Sequence, residues 1–280
     1  MPMISATEKN WNSATTLYFA KRLYSINQEN TSRIAVLDMG CGDGTIIEYL
    51  FDYGYDLYGY DFPKREKSLR QRLESYWGDD FDHHIHFMND EKIIPFGQDL
   101  FDVVYANSVF EHVKLFESMM SECARVLKPN GILLSNFPLA TCPIEPHLKI
   151  PAAHWLPPGK LRVRYLQLFY ALGFGKRNKN NTSPLQRAIG KDKYLKDCTY
   201  YRFMNEIIAV GETYFESVEL ETNDFLDSKL DLLKNSPSKI NHMLCSVINK
   251  TPRSLRGSLL THLITATFCF RTPKKNSYIN

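Results

Sequence analysis

The sequence predicts an α/β fold, a doubly wound and largely parallel sheet with helical insertions, and three observations carry that prediction. Val36-Leu37-Asp38-Met39 is an apolar run interrupted by an acid that passes into Gly40-Cys41-Gly42-Asp43-Gly44, after which Thr45 to Leu50 reads as a helix. Leu57-Tyr58-Gly59-Tyr60-Asp61 is a second such run, its acid 21 residues beyond Gly40, the spacing that one strand-helix-strand unit requires. Phe101 to Ser108 and Ile132 to Phe137 read as two further strands.

Each element has a local reason. Alternate glycines let backbone approach a ligand closely, because no Cβ intervenes and positive φ costs little. The helix after them turns its N-terminal amides towards that ligand. Thr45 stands where a dinucleotide fingerprint needs its third glycine, which argues against a nicotinamide cofactor. Asp61 closes the second strand, where a carboxylate can accept both hydroxyls of a ribose. A third strand is expected over about residues 84–88, leading to Asn89-Asp90-Glu91 and then Ile94-Pro95-Phe96. Val109-Phe110-Glu111-His112-Val113 trails the fourth strand, and Arg125 to Gly131 reads as a helix end and turn before the fifth.

Taken in this order, residues 31–137 resemble the class I S-adenosylmethionine (SAM) methyltransferases of the type 11 kind. The resemblance implies a Rossmann-like sheet of seven strands whose last runs antiparallel. It also implies a SAM site. Asp38 would answer the cationic amino group, the backbone of Gly40, Cys41 and Gly42 would border the methionine tail, and Asp61 would take the ribose. Phe62 would face adenine, Asp90 beside Glu91 would meet the adenine amino group, and Asn107 and Ser108 would close the pocket floor.

Composition places the chain among water-soluble globular proteins: 44% hydrophobic, 23% charged, mean hydropathy −0.32. Met1 to Asn10 lacks the basic start and apolar run of a signal peptide, so a cytoplasmic location is expected. The six cysteines are scattered without Cys-x-x-Cys, which predicts neither a zinc site nor a disulfide framework. His83-His84-x-His86 has histidines on one face of the expected third strand but no supporting ligands, so no metal is expected there. Charge is uneven: residues 1–140 hold 13 Lys and Arg against 20 Asp and Glu, residues 141–280 hold 21 against 11. The cofactor motifs lie in the acidic half, so acceptor selection is expected in the basic one.

The rest of the core is expected in a helix over residues 201–210, a strand over 217–221 and a last strand over 263–270, giving one domain whose core comprises about 31–137, 199–225 and 259–272. Two segments fall outside it, a cap at about 141–198 and a second helical insertion at about 226–258. In the first, a helix over 159–172 places Leu161, Tyr165, Leu168, Phe169 and Leu172 on one face, and burial against the core is the expectation for that stripe. Ile240, Met243, Leu244, Val247 and Ile248 mark a helix in the second.

Transfer of a methyl to a hydroxyl benefits from a general base, and histidine suits neutral pH. His147 and His154, in the Pro-rich opening of the cap, and His112 after the fourth strand are the candidates. Asn107-Ser108-Val109-Phe110 lacks the Asn/Asp-Pro-Pro-Tyr motif of adenine and glutamine amide methylation, and the basic residues form no RNA-binding module. What is left is a small-molecule, sugar or lipid-linked acceptor, an anionic one fitting the basic half. The rival reading is a SAM-fold binding subunit without turnover, or an RNA or protein methyltransferase. Lys160, Arg162 and Arg164 beside the apolar stripe, with Lys176, Arg177 and Lys179 after it, fit peripheral contact with the inner face of a membrane.

Overall fold

The apolar runs become the strands of one sheet in the computed structural model, which describes residues 13–28, 32–88, 92–175, 182–235 and 238–275. The strands are β1 (Ala35–Met39), β2 (Asp56–Asp61), β3 (Ile85–Phe87), β4 (Phe101–Asn107), β5 (Leu127–Phe137), β8 (Phe215–Leu220) and β9 (Ala266–Pro273), with a separate pair β6 (Ile144–Glu145) and β7 (Ile150–Pro151). Their order is β3-β2-β1-β4-β5-β9-β8. The first five run parallel, whereas β9 pairs antiparallel with both β5 and β8. The seven-stranded sheet with an antiparallel last strand is the one expected. Strand order reverses between β1 and β4, the point at which open α/β sheets leave a crevice beyond their carboxyl ends.

Side chains alternate between two buried layers. Leu37, Met39, Val104 and Ala106 pack on the face covered by α5 (Phe116–Val126) and α8 (Met204–Tyr214). Val36, Val103 and Tyr105 pack on the other, beneath α1 (Ala14–Gln28), α2 (Thr45–Leu50) and α3 (Glu66–Trp77). Phe19 of α1 stacks on Tyr105 of β4 with ring centroids 3.8 Å apart, which sets the N-terminus of α1 over the crevice.

Three local expectations change. The third strand is shorter than residues 84–88, because His84 ends a short helix, α4 (Phe81–His84). Its ring stacks on Trp77 and its Nδ1 donates to the Leu57 carbonyl, so His84 and His86 do not share a strand face. The last strand begins at Ala266, since Leu263 closes α11 (Arg253–Leu263), which follows α9 (Thr222–Lys234) and α10 (Lys239–Lys250). Between β5 and α8 lie β6, β7, α6 (Lys160–Ala171) and α7 (Pro184–Asp197), with a core of their own made by Leu148, Ile150, Leu166, Tyr170, Ala188 and Leu195. The stripe expected to be buried on α6 is not: Leu161, Leu168 and Leu172 are 59%, 56% and 64% exposed, and Arg162 takes the inward position. Tyr165 and Phe169 alone of that stripe pack against the segment's core.

Glu221, at the turn from β8 into α9, ties α1 to the sheet. Its buried carboxylate accepts from Tyr18 Oη at 2.6 Å and from Arg22 at 2.9 Å, and lies 3.4 Å from the Arg271 guanidinium of β9. Glu221→Ala leaves Tyr18 buried with an unpaired hydroxyl and Arg22 without its counter-ion, and is expected to cost about 3 kcal/mol. Urea unfolding checks this; a loss below about 0.5 kcal/mol would show that apolar packing alone holds α1 in place.

Candidate active site

Asp38 ends the apolar part of β1 with its side chain in the crevice. The residue is 4% exposed, and its Oδ2 has no hydrogen-bond partner among the described residues. Burial, and then the nearby Asp61 carboxylate, push its pKa well above the usual carboxylate range. Asp61, at the end of the neighbouring strand, accepts from the amides of Gly42 at 2.7 Å and Phe62 at 2.6 Å, which lock the glycine loop to β2. The amides of Gly40 and Cys41 both donate to the Tyr60 carbonyl and tighten the same turn.

A cavity of about 480 Å³ opens over this loop, lined by Asp38, Gly40, Cys41, Gly42, Asp43, Thr45, Ile46 and Asn107, and closed on one side by Ser13, Thr15 and Thr16 of the α1 N-terminus. Gly42 has φ +65°, and a Cβ there would meet no protein atom within 4 Å, so the missing side chain leaves room for a ligand. Gly44 is glycine for another reason: a Cβ would stand 2.5 Å from Leu73 Cδ1 of α3. Cys41 borders the cavity while its buried thiol joins the core. A buried carboxylate without a partner beside a second carboxylate suits a cationic amino group, and the cradle at Gly42 suits a chain bearing it. The residues therefore fit SAM, with Asp38 and the loop from Gly40 to Gly42 to hold it.

The other expected cofactor residues are distributed less uniformly. Asn107 lines the cavity; Asp61, Phe62 and Ser108 are outside its wall among the described residues. Phe62 is exposed with Lys64 over its ring, and Ser108, at φ 55°, donates its amide to the Asn136 carbonyl. Asp90 and Glu91 lie outside the described residues. The Thr45 amide bonds Asp43 rather than facing the cavity unengaged. Ser13, Thr15 and Thr16 were missed by the motif reading, although Ser13 before a helical run is an N-cap signal, and its Oγ accepts from the Thr16 amide.

A second cluster gathers where β4 ends. The Glu111 carboxyl, His112 and His147 bring ligand-type atoms within 4.8 Å of one another. His147 Nδ1 lies 2.9 Å from both Glu145 Oε1 and the Tyr201 hydroxyl, and Tyr201 donates to the same Glu145 oxygen. The Glu145 carboxyl is buried, which pushes its pKa up, yet hydrogen bonds from His147, Tyr201 and the Leu148 amide hold it below the usual range. An ionised Glu145 fixes the Nδ1–H tautomer of His147 and leaves Nε2 as an acceptor. His112 donates Nδ1–H to the Cys198 carbonyl, and burial lowers its pKa, so it too presents a neutral Nε2. His154 differs: Nε2 bonds the Ala140 carbonyl, and Nδ1 is buried without a partner among the described residues. Glu145 and Tyr201 as anchors escaped the sequence reading, because Tyr201 is 56 residues from Glu145.

Two outcomes are expected. Asp38→Asn should weaken SAM and S-adenosylhomocysteine by roughly 1.5 to 3 kcal/mol, the range for a hydrogen bond to a charged group; titration calorimetry with unchanged affinity would remove Asp38 from the site. Burial also raises Glu111 from its ordinary 4.5 to about 8. The folded value lies above the unfolded one, so the stability tied to this proton is complete below about pH 4.5 and is lost as pH rises through 8. Glu111→Gln should remove that slope, roughly 3 to 5 kcal/mol over the window, in urea unfolding across pH.

Residues 37–135 match the family model described as a methyltransferase domain. The ubiquinone biosynthesis O-methyltransferase of Caulobacter vibrioides is 29% identical over 129 residues, 45% of this chain and 50% of that protein. The mitochondrial enzyme of the same name from Homo sapiens is 33% identical over 100 residues, 35% of this chain and 27% of that protein. The chain thus spans half or less of the length of these curated relatives. Among solved structures, phosphoethanolamine N-methyltransferase 2 of Haemonchus contortus in complex with SAM aligns with a TM-score of 0.47 at 14% identity, over 91% of this chain and 53% of that one. The sheet order, the glycine loop and the buried acid at its mouth all lie within or beside this matched segment, so residues 37–135 carry a domain similar to those of SAM-dependent methyltransferases.

Proposed function

We propose that the protein transfers a methyl group from SAM to a hydroxyl of a small-molecule, sugar or lipid-linked acceptor, with His147 as the base. The observation that carries this reading is the Glu145-His147-Tyr201 triad, which holds one imidazole nitrogen so that the other is left as a proton acceptor beside His112 and Glu111. The names of the relatives, O-methyltransferases, support oxygen as the atom methylated. SAM, when bound, supplies the electrophilic methyl, so the protein need form no covalent intermediate.

The remaining work falls to the chain. Asp38 and the loop hold the donor, while segment 141–198 forms the cap that covers the acceptor and excludes water. His147 Nε2 takes the hydroxyl proton as the new bond forms, and Glu145 stabilises the resulting imidazolium through Nδ1. His112, with its Nδ1–H committed to the Cys198 carbonyl, offers Nε2 to accept a hydrogen bond from the acceptor. His154 has its Nε2 committed to Ala140 and serves to shape the cap through its ring contact with Tyr201.

An extract screen for SAM-dependent gain of one methylene in mass supplies the acceptor. With it, His147→Ala is expected to lose roughly 10²- to 10⁴-fold in kcat, the usual worth of a general base, with unchanged S-adenosylhomocysteine affinity. Glu145→Gln should fall in the same direction and shift the pH-rate profile. Near-normal turnover in His147→Ala would exclude the base role.

A further inference from the structure

The exposed stripe on α6 has a consistent chemical setting. Leu161, Leu168 and Leu172 lie within about 40° of one line along the helix, and Phe174 just beyond it is also exposed. Lys160 and Arg164 are exposed along one edge of that line. Segment 141–198 holds 11 Lys and Arg against three Asp and Glu. Two of the three acids are spent internally: Glu145 in the triad, and Asp192 in a 2.7 Å ion pair with the buried Arg162. Asp197 is the one exposed acid of the segment among the described residues, whereas Lys149, Lys191, Lys193 and Lys196 are all exposed.

We propose that the α6 face docks on an anionic lipid bilayer, its leucines inserted shallowly and its basic residues at the headgroups. An apolar ridge with a cationic border has this complementarity. A second copy of the chain offers none, since a symmetric pairing of this face would bring two such basic surpluses together. Arg162, one of the cations expected at this rim from sequence, instead secures α6 to α7, which leaves the leucines outward and the helix rigidly seated. No helix among the described residues is long and apolar enough to cross a membrane, so the contact is peripheral. Delivery of a lipid-linked acceptor by this contact rests on the methyl-transfer reading above; the docking itself does not.

The test uses the full chain with vesicles of phosphatidylcholine alone and of phosphatidylcholine with phosphatidylglycerol. Co-sedimentation is expected with the anionic vesicles only, weakening as salt rises. The Leu168→Asp, Leu172→Asp double variant should bind them about tenfold more weakly or worse, with S-adenosylhomocysteine affinity unchanged as proof of folding. No binding to anionic vesicles, or equal binding by the double variant, overturns the proposal. So does a concentration-dependent dimer that the double variant dissolves, which would assign the face to a second copy. Vesicle binding without methyl transfer would count against the proposed activity and not against the docking.

Discussion

The structure turns on two carboxylates placed at the ends of adjacent parallel strands and kept from water. Asp61 is satisfied by the amides it fastens, whereas Asp38 keeps an oxygen with no partner among the described residues. A buried ion without compensation costs several kcal/mol, which the protein meets by holding the Asp38 proton more tightly. A ligand bringing an ammonium group relieves the cost. The β1-β2 register, the glycine turn and the α1 N-terminus all surround that one acid, so the cofactor preference follows from electrostatics as much as from shape.

Sequence made the strands and the loop legible because their causes are local. An apolar run ending in an acid and alternate glycines with positive φ are set by neighbours in the chain. His84 was misplaced because its partners, Trp77 and the Leu57 carbonyl, lie on other elements and favour the helical end over a strand. On α6 the period gave the apolar face correctly, but a period cannot say what covers a face; Arg162 reached Asp192, and that ion pair turned the leucines outward.

The candidate catalytic cluster lies between these cases. His112 and His147 were visible as residues, yet their difference from His154 depends on which ring nitrogen is bonded and to what. Tyr201 meets His147 across 54 residues of chain and Glu145 across 56, a relation no local pattern encodes. Segment 141–198 supplies Glu145 and His147 to the triad, and its α6 face carries exposed leucines with a basic edge.

The most direct test of the central claim is the proton balance of cofactor binding. S-adenosylhomocysteine is titrated into the protein at mildly acidic pH in buffers of different ionisation enthalpy. A raised Asp38 pKa requires the carboxyl to lose its proton as the ligand ammonium arrives, so net proton release is expected, and it should disappear in Asp38→Asn. Binding with no release, or with the same release in the variant, would contradict the account.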